Sequence, residues 1–174
     1  MGDATPGLFK SNELGFYEMR FESVGGLGAN LAGQILAQAA VLGQGLNGAH
    51  FSSYGSEKKG SPVKSFVRLC QPEMEVRTSS PVERPHLLAV FHHCLLRVPG
   101  TFSGLQPDGA LVVNSPDTAD EVREATRLPS GRLGVIDALA VAVKEGTRIN
   151  AAMLGAVVRL AGFLDPGAVK EAIA

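Results

Sequence analysis

Met19-Arg-Phe-Glu-Ser-Val-Gly-Gly-Leu-Gly-Ala-Asn-Leu-Ala-Gly-Gln-Ile-Leu-Ala-Gln-Ala-Ala40 decides the fold, because here an extended apolar run meets a glycine cluster and turns at once into a helical pattern. A strand, a tight turn and a helix start bring unpaired backbone N–H groups to one point, with the positive end of the helix dipole behind them. Such a point attracts phosphate. Gly25, Gly26 and Gly28 allow a ligand to approach the backbone, and Asn30 adds a polar side chain on the first helical turn.

The glycine turn departs from the two common nucleotide motifs. A dinucleotide fingerprint reads G-x-G-x-x-G, and Leu31 stands where its third glycine belongs. Residues 49–54 lack the acidic side chain that holds a ribose, and no Gly-Lys-Ser/Thr follows the first glycines as in a P-loop. The fit to NAD or FAD is therefore poor. In the alternative interpretation, the glycines serve only the turn and the close packing of helix on strand.

Length and composition narrow the class of protein. The 174 residues predict one domain, and a formal net charge of -1 argues against a nucleic-acid binder. No run of about 18 apolar residues marks a membrane span, and the first residues lack the apolar segment of a secretory signal. We therefore expect a cytoplasmic protein.

The side chains predict no catalytic or metal site. His92 and His93 are adjacent, so on a helix they diverge by roughly 100° and cannot share one metal ion; we interpret them as capping or partner-contact residues. Cys70 and Cys94 lack C-x-x-C spacing, and we predict two buried, inert thiols without a disulfide. No G-x-S-x-G motif supplies a nucleophile. The chain is expected to bind a ligand rather than to transform it.

Strand and helix patterns alternate along the rest of the chain. Residues 1–18 form a predicted N-terminal arm, whose apolar side chains we expect a partner to cover, and residues 19–174 form the single predicted domain. After the first strand and helix, the predicted strands are 49–54, 63–69, 75–78, 86–91, 110–114 and 131–137. The predicted helices are 92–105, interrupted by Pro99-Gly100, and 118–127, 138–145, 150–161 and 166–173. Asp117 and Asp165 introduce the second and last of these helices. The order predicts a three-layer α/β domain with a mostly parallel sheet, into which 63–69 and 75–78 insert a β-hairpin.

Four connections share one predicted rim of this sheet, because ligands in open α/β sheets bind where the strands end. They are the 25–30 turn, the 54–62 loop, the 91–94 turn and Asn114-Ser115. The loop offers two ammonium groups and two hydroxyls beside flexible backbone, from Ser56, Lys58, Lys59, Gly60 and Ser61. With the glycine turn, it predicts a receptor for a polyanion such as a nucleotide or the pyrophosphate of coenzyme A. The alternative is a solvated surface loop.

The order of motifs along the chain resembles a known family. Val24-Gly-Gly-Leu-Gly-Ala-Asn precedes Ser53-Tyr-Gly-Ser-Glu-Lys-Lys-Gly-Ser-Pro-Val-Lys-Ser-Phe-Val-Arg-Leu69, then Asn114-Ser-Pro, Ile136-Asp-Ala and Asn150-Ala-Ala-Met-Leu-Gly-Ala. This order is similar to that of the gamma subunit, or gamma domain, of the 2-oxoacid:ferredoxin oxidoreductases. The resemblance covers about residues 19–173 and implies a flavodoxin- or Rossmann-like α/β fold.

The resemblance implies a non-catalytic subunit of a thiamine-diphosphate enzyme. Such enzymes oxidatively decarboxylate a 2-oxoacid, pass electrons through iron–sulfur clusters to ferredoxin or a similar acceptor, and release a coenzyme A thioester. By the same resemblance, thiamine diphosphate and the clusters belong to thiamine-binding and ferredoxin-like partner subunits, while this chain helps to position coenzyme A and assemble the complex. The coenzyme-binding residues it implies are Gly25, Gly26, Gly28, Asn30, Ser56, Lys58, Lys59, Gly60 and Ser61.

Two other hypotheses stay open at this point. One is a stand-alone dinucleotide-binding Rossmann-like domain, and the other is a purely structural subunit. Pro62 ends the lysine-bearing loop without an N–H group, which removes one possible backbone contact to a phosphate. The 2-oxoacid itself would be recognised by other chains.

Overall fold

The computed structural model describes residues 9–25, 28–55, 62–128 and 131–174. Within these ranges the strands are β1 (Tyr17–Val24), β2 (Asn47–Tyr54), β3 (Pro62–Cys70), β4 (Leu87–Val90), β5 (Ala110–Asn114) and β6 (Arg132–Ile136). The α-helices are α1 (Ala29–Gln38), α2 (Ala119–Thr126), α3 (Ala138–Glu145), α4 (Ile149–Ala161) and α5 (Pro166–Ile173). A π-helical turn, Ala39–Gly43, extends α1, and a 3₁₀-helix covers His93–Arg97.

The strands form one sheet in the order β2-β3-β1-β4-β5-β6. β1, β4, β5 and β6 pair in parallel, whereas β3 runs antiparallel to both of its neighbours, β1 and β2. β3 is reversed because a short connection joins it to β2, and such a connection allows only antiparallel pairing. Hydrophobic clusters lie on both faces of the sheet. The predicted three-layer α/β fold with a mostly parallel sheet is confirmed.

The inserted hairpin consists of different strands from those predicted. It is formed by β2 and β3, whereas residues 75–78 form no strand. Both edges of β3 are occupied by β1 and β2, so no edge is left for residues 75–78 to pair with. Side chains bond its two ends instead: Asn47 Nδ2 donates to the carbonyl oxygen of Met74, just before the segment, over 2.6 Å, and Arg68 Nη1 donates to that of Thr78 over 3.4 Å.

β1 presents different chemistry to the two faces of the sheet. Met19 and Phe21 are fully buried in the hydrophobic cluster that includes residues of α1 and α4. Glu18, Arg20 and Glu22 alternate with them and are buried on the opposite face. Beneath β1 and β3, irregular segments rather than helices cover this second face.

Two buried arginines hold the irregular segments in place. Arg20 donates to four carbonyl oxygens, those of Val82, Glu83, Thr101 and Ser103, over 2.7 to 3.4 Å. Arg68 donates to the carbonyl oxygen of Ser80 over 2.7 Å and to the carboxylate of Glu18 over 2.6 Å. A guanidinium group carries five donors in a rigid fork, so one arginine satisfies several carbonyl groups that no helix or strand would pair.

The helix predictions need two corrections. The region 92–105 contains a short 3₁₀-helix, His93–Arg97, and no α-helix; the predicted interruption at Pro99-Gly100 is present, with Gly100 at a φ of +88°, but the helix does not resume after it. α2 is capped by Thr118 rather than Asp117. The Thr118 hydroxyl accepts from the N–H of Glu121, whose carboxylate accepts from the N–H of Thr118 in return.

α5 matches its prediction. The Asp165 side chain accepts from the N–H groups of Gly167 and Ala168, and Pro166 occupies the first helical position, where its missing N–H has no cost. The sequence pattern and the cap therefore agree at this end of the chain.

Apolar residues of the predicted arm pack against this chain itself. Phe16 and Tyr17 are buried, and the Phe9 ring lies 5.7 Å from that of Tyr17 and 4.7 Å from that of Phe163, measured between centroids. The cover we expected from a partner is therefore intramolecular for these residues. Leu14 remains 68% exposed. Leu8 lies outside the described residues.

Candidate functional site

The carboxyl ends of five strands meet at one rim of the sheet. β1, β4, β5 and β6 are parallel, and β2 runs in the same direction because β3 is antiparallel to both β1 and β2. The glycine turn follows β1, the lysine-bearing loop follows β2, and His92 and Asn114 lie at the ends of β4 and β5. The structure thus brings together the described parts of the four predicted connections.

The lysine-bearing loop ends on the strand next to the glycine turn. Pro62, the first residue of β3, pairs with Val24, the last residue of β1. Gly55 donates its N–H to the carbonyl oxygen of Pro62 over 3.0 Å, which closes the β2–β3 hairpin at the same level. Neighbouring strands lie about 4.8 Å apart, so Pro62 lies one strand spacing from the end of β1, and Gly55, which follows β2, lies about two spacings away. The predicted site residues Ser56, Lys58, Lys59, Gly60 and Ser61 themselves lie outside the described residues, as does Gly26.

The two described glycines of the turn have different surroundings. A Cβ atom added at Gly25 would meet no atom of the described residues within 4 Å, so no described side chain fills the space beside this backbone. Gly28 is the N-cap of α1 with a φ of +76°, and an added Cβ would lie 3.1 Å from Asn150 Nδ2. Gly28 therefore serves backbone conformation and packing, whereas Gly25 leaves room for a ligand.

Asn30 joins the first turn of α1 to β2. Its carboxamide oxygen accepts a hydrogen bond from the Ser52 hydroxyl. The same hydroxyl lies 3.4 Å from His50 Nε2, which in turn is 2.9 Å from the Ser65 hydroxyl. Burial lowers the pKa of His50, which favours the neutral ring in this network. The oxygen of the Asn30 carboxamide thus fixes this side chain at the rim. Its Nδ2 donates no hydrogen bond to any other described residue.

Gly33 is a packing residue that the sequence patterns did not single out. A Cβ atom there would lie 2.2 Å from the Ser65 hydroxyl oxygen and 2.7 Å from His50 Cδ2. Its role is to let α1 approach β2 and β3 closely, as the packing interpretation of the glycines requires. Its signal in the sequence is a glycine inside an otherwise good helical pattern.

A buried ion cluster lies under the β1 end of the rim. Glu22 Oε1 is 2.9 Å from Arg20 Nε and 3.4 Å from Lys64 Nζ, and the Glu22 side chain is only 5% exposed. Burial raises the pKa of the Glu22 carboxyl, against the opposite pull of Lys64 and Arg20. The sequence contains one signal for this cluster. Glu18, Arg20 and Glu22 occupy alternate positions of a strand, so their side chains share one face of the sheet.

The histidines at the β4 end are structural. His92 Nδ1 accepts from the N–H of Cys94 over 3.2 Å and caps the 3₁₀-helix, which confirms the capping prediction. His93 Nε2 lies 2.9 Å from Asp117 Oδ2, and this contact lowers the pKa of Asp117. Among the described residues, no group of three His, Cys, Asp or Glu side chains is arranged to hold a metal ion.

The Asn114 carboxamide is also structural. Its Nδ2 donates to the Phe91 carbonyl oxygen and its oxygen accepts from the N–H of Ala138, both over 3.0 Å. This residue therefore ties β4, β5 and α3 together at the rim, and both ends of its amide are satisfied within the chain.

The two cysteines are both free thiols, but only one is buried. Cys70 is fully buried in β3, and burial raises the pKa of its thiol. Cys94 is exposed, which corrects the prediction of two buried thiols. It is exposed because it lies in a single 3₁₀ turn, of which Leu95 and Leu96 form the buried side.

Comparison with known proteins identifies the family. The family model for pyruvate ferredoxin/flavodoxin oxidoreductase matches residues 18–174. The chain belongs to this family. It is similar to pyruvate synthase subunit PorC of Thermotoga maritima, with 36% identity over 160 residues that cover 91% of this chain and 81% of PorC. It is also 34% identical, over 158 residues, to the pyruvate/ketoisovalerate oxidoreductases common subunit gamma of Pyrococcus abyssi, covering 90% of this chain and 84% of that one.

Solved structures agree with this assignment. The crystal structure of pyruvate oxidoreductase subunit PORC from Thermotoga maritima matches with a TM-score of 0.78 at 34% identity, covering 91% of this chain and 83% of that one. The 2-oxoglutarate:ferredoxin oxidoreductase of Magnetococcus marinus matches with a TM-score of 0.68 at 19% identity, covering 91% of this chain and 26% of that one, and shows the shared fold. This protein is therefore a gamma subunit of a 2-oxoacid:ferredoxin oxidoreductase, and as such a subunit of an oxidoreductase complex. No described helix of the gamma subunit is long and apolar enough to span a membrane.

Proposed function

We propose that this gamma subunit helps to hold coenzyme A at the carboxyl rim of its sheet. The enzyme is a thiamine-diphosphate-dependent, coenzyme A-acylating 2-oxoacid oxidoreductase. Thiamine-binding and ferredoxin-like partner subunits carry thiamine diphosphate and the iron–sulfur clusters. The observation that carries the proposal is the pairing of Val24 with Pro62, which places the end of the lysine-bearing loop on the strand next to the glycine turn.

The rim offers the contacts that a phosphate needs. The N–H groups at the start of α1 have no intrahelical acceptors, and the positive end of the helix dipole lies behind them. At Gly25 no described side chain covers the backbone. Lys58 and Lys59, in the loop anchored by Gly55 and Pro62, supply the positive charge that neutralises a pyrophosphate.

The comparisons support the same ligand. The Magnetococcus marinus enzyme that shares this fold was solved with 2-oxoglutarate, coenzyme A and succinyl-CoA bound. In the proposed mechanism, partner subunits decarboxylate and oxidise the 2-oxoacid, and this chain binds and orients the coenzyme whose thiol accepts the acyl group. Orientation of a reactant removes an entropic barrier that amounts to several kcal/mol (about 7 to 11 in the best intramolecular cases).

A double variant of the lysine-bearing loop tests this function. In the complex assembled with its partner subunits, Lys58→Ala/Lys59→Ala should raise the KM for coenzyme A by at least about tenfold, because two charge-assisted contacts are lost. Coenzyme-independent reduction of the electron acceptor should stay near the wild-type rate. Arg77→Ala/Lys170→Ala, which removes the same charge from exposed positions, is the matched control. An unchanged coenzyme dependence in the first variant would remove the lysines from the site.

A further inference from the structure

β2 forms one edge of the sheet, with β3 on its inner side and no described strand on its outer side. The N–H of Gly55 donates to the carbonyl oxygen of Pro62, so these two residues form a hydrogen-bonded pair of the antiparallel ladder. Such pairs recur at every second residue. The odd-numbered residues of β2 therefore bond to β3, whereas the even-numbered residues direct their N–H and C=O groups away from the sheet.

Most of these outward backbone groups have no partner among the described residues. The Gly48 N–H donates to Asn47 Oδ1 over 2.8 Å, but the backbone groups of His50, Ser52 and Tyr54 bond to no other described residue. Proteins protect such an edge with a short strand, charged side chains or proline. β2 is eight residues long and contains none of Asp, Glu, Lys, Arg and Pro. β6, at the other edge, has five residues and begins with an arginine.

The lack of charge extends well beyond β2. Residues 23–56 contain no Asp, Glu, Lys or Arg, although these types make up 19% of the chain. The run includes α1 and its π-helical turn, whose exposed side chains are Leu31, Gln34, Gln38 and Leu42. Leu42 is 77% exposed. The solvent side of a surface helix normally carries charged residues, and the centre of a protein interface is depleted of them, so α1 and β2 together have the composition of an interface.

We infer that β2 pairs in antiparallel orientation with β2 of a second copy of this chain, about a two-fold axis. Pairing of a strand with its own copy sets identical side chains near one another, so any charge there would meet its own kind and oppose the contact. The charge-free run removes this repulsion. The pairing joins the two sheets into one and satisfies the outward backbone groups of both strands with about six hydrogen bonds.

Hydrogen bonding selects the register of this pairing. Outward-facing residues must oppose outward-facing residues, so a pairing along the whole of β2 has its axis at His50 or at Phe51. An axis at His50 would set Gly48 opposite Ser52 inside the ladder, although the Gly48 N–H is already bonded within its own chain. An axis at Phe51 moves Gly48 to the end of the ladder, opposite Tyr54. It also sets the two Phe51 rings opposite each other, and aromatic cross-strand pairs are favourable.

The position of α1 agrees with this pairing. A Cβ atom added at Gly33 would lie 2.2 Å from the Ser65 hydroxyl oxygen of β3 and 2.7 Å from His50 Cδ2 of β2, so α1 lies over both strands. When β2 pairs with its copy, the two α1 helices are two strand spacings apart, or about 10 Å. This is the distance between the axes of packed helices. The joined sheet therefore has room for both helices.

A disulfide between copies tests the pairing. With the axis at Phe51, Ala49 lies opposite Ser53 of the second copy as a non-hydrogen-bonded pair, with Cα atoms about 4.5 Å apart, within the range of a disulfide. The test variant is Ala49→Cys/Ser53→Cys. It also carries Cys94→Ser, which removes the exposed native thiol, whereas the buried Cys70 remains. Within one chain positions 49 and 53 are about 13 Å apart, so they cannot form a disulfide with each other.

The controls are Ala49→Cys and Ser53→Cys alone, each with Cys94→Ser. In either single variant the two equivalent thiols would lie about 13 Å apart across the axis, which is too far for a disulfide. Collisions between molecules would cross-link the single variants as well as the double variant. Acceptor reduction without coenzyme A, measured on each variant complex, checks that assembly is intact.

The assembled complex is oxidised anaerobically with dithiodipyridine, and its products are separated by non-reducing denaturing electrophoresis and identified by mass spectrometry. We expect the double variant to yield a product of two gamma chains, each of 18.2 kDa, in an amount at least about tenfold above either single variant. A product that joins the gamma chain to a different subunit overturns the inference, because another protein then covers this edge. No product above the level of the single variants overturns it as well.

Discussion

Val24 and Pro62 face each other as the last pair of the β1–β3 ladder. A one-residue shift of this register would turn every side chain of β3 to the other face of the sheet, so the pairing is fixed by the buried residues along both strands. Such a shift would break the 2.6 Å ion pair of Arg68 with Glu18 and bring Arg68 to the face where Val67 and Leu69 pack in the hydrophobic cluster. The core thereby fixes where the lysine-bearing loop leaves the sheet, and that position is beside the glycine turn.

Gly25→Ala and Gly28→Ala should separate ligand binding from stability. Gly28 has a φ of +76° and packs against Asn150, so its replacement should lower the free energy of unfolding by about 1 to 3 kcal/mol. No described atom lies within 4 Å of a Cβ added at Gly25, so its replacement should leave stability unchanged and weaken coenzyme A binding by crowding the ligand. Thermal unfolding and coenzyme A titration of both variants provide the two measurements. A Gly25→Ala complex with wild-type affinity would show that no ligand approaches this residue.

Gly33→Ala should destabilise the domain, whereas Gly155→Ala should not. Both glycines lie inside α-helices, but an added Cβ at Gly33 would lie 2.2 Å from the Ser65 hydroxyl oxygen, and one at Gly155 would meet nothing within 4 Å. We expect a loss of about 1 to 3 kcal/mol for Gly33→Ala from overpacking. Gly155→Ala should gain about 0.5 to 1 kcal/mol from helix propensity. Urea denaturation measures both, and equal effects would contradict the close approach of α1 to the sheet.

Glu22 should make the stability of the domain depend on pH. Burial raises the pKa of this carboxyl in the folded state above its ordinary value of 4.5, although Lys64 and Arg20 oppose the shift. Between the unfolded and folded pKa values the native state binds a proton that the unfolded chain has released, so stability falls as pH rises through this window.

Glu22→Gln removes that dependence, because the amide does not titrate. The stability of the variant relative to wild type should therefore increase as the pH rises from about 4 to about 7. Denaturant unfolding at a series of pH values measures this difference. Parallel curves would mean that Arg20 and Lys64 cancel the effect of burial.

Much of the fold is predictable from the sequence because its signals are local. Continuous apolar runs indicated β4 and β5, and Asp165 with Pro166 indicated the start of α5. The pairing of β3 with β1 had no local signal, since it joins segments separated by a helix and another strand. The irregular segments bonded by Arg20 and Arg68 had no local signal either. Backbone carbonyl groups that bond to an arginine produce no periodic pattern in the sequence.

The candidate site was predictable in the same way, but only in part. Gly25 and Gly28 follow β1, and the carboxyl ends of parallel strands lie at the same edge of a sheet. Their position at the rim therefore follows from the direction of the strand alone. The contact of Asn150 with Gly28 depends on the packing of α4 against α1, which joins distant parts of the chain. Cys94 was mispredicted because two leucines beside it, rather than the thiol, form the buried side of a single turn.

Hydrogen–deuterium exchange of the assembled complex, with and without coenzyme A, tests the coenzyme-holding role most directly. We predict that coenzyme A slows amide exchange in peptides that cover residues 25–34 and 54–63, because their backbone N–H groups bond or are shielded by its phosphates. Protection confined to the partner subunits, at concentrations where the coenzyme is bound, would contradict the role proposed for this chain.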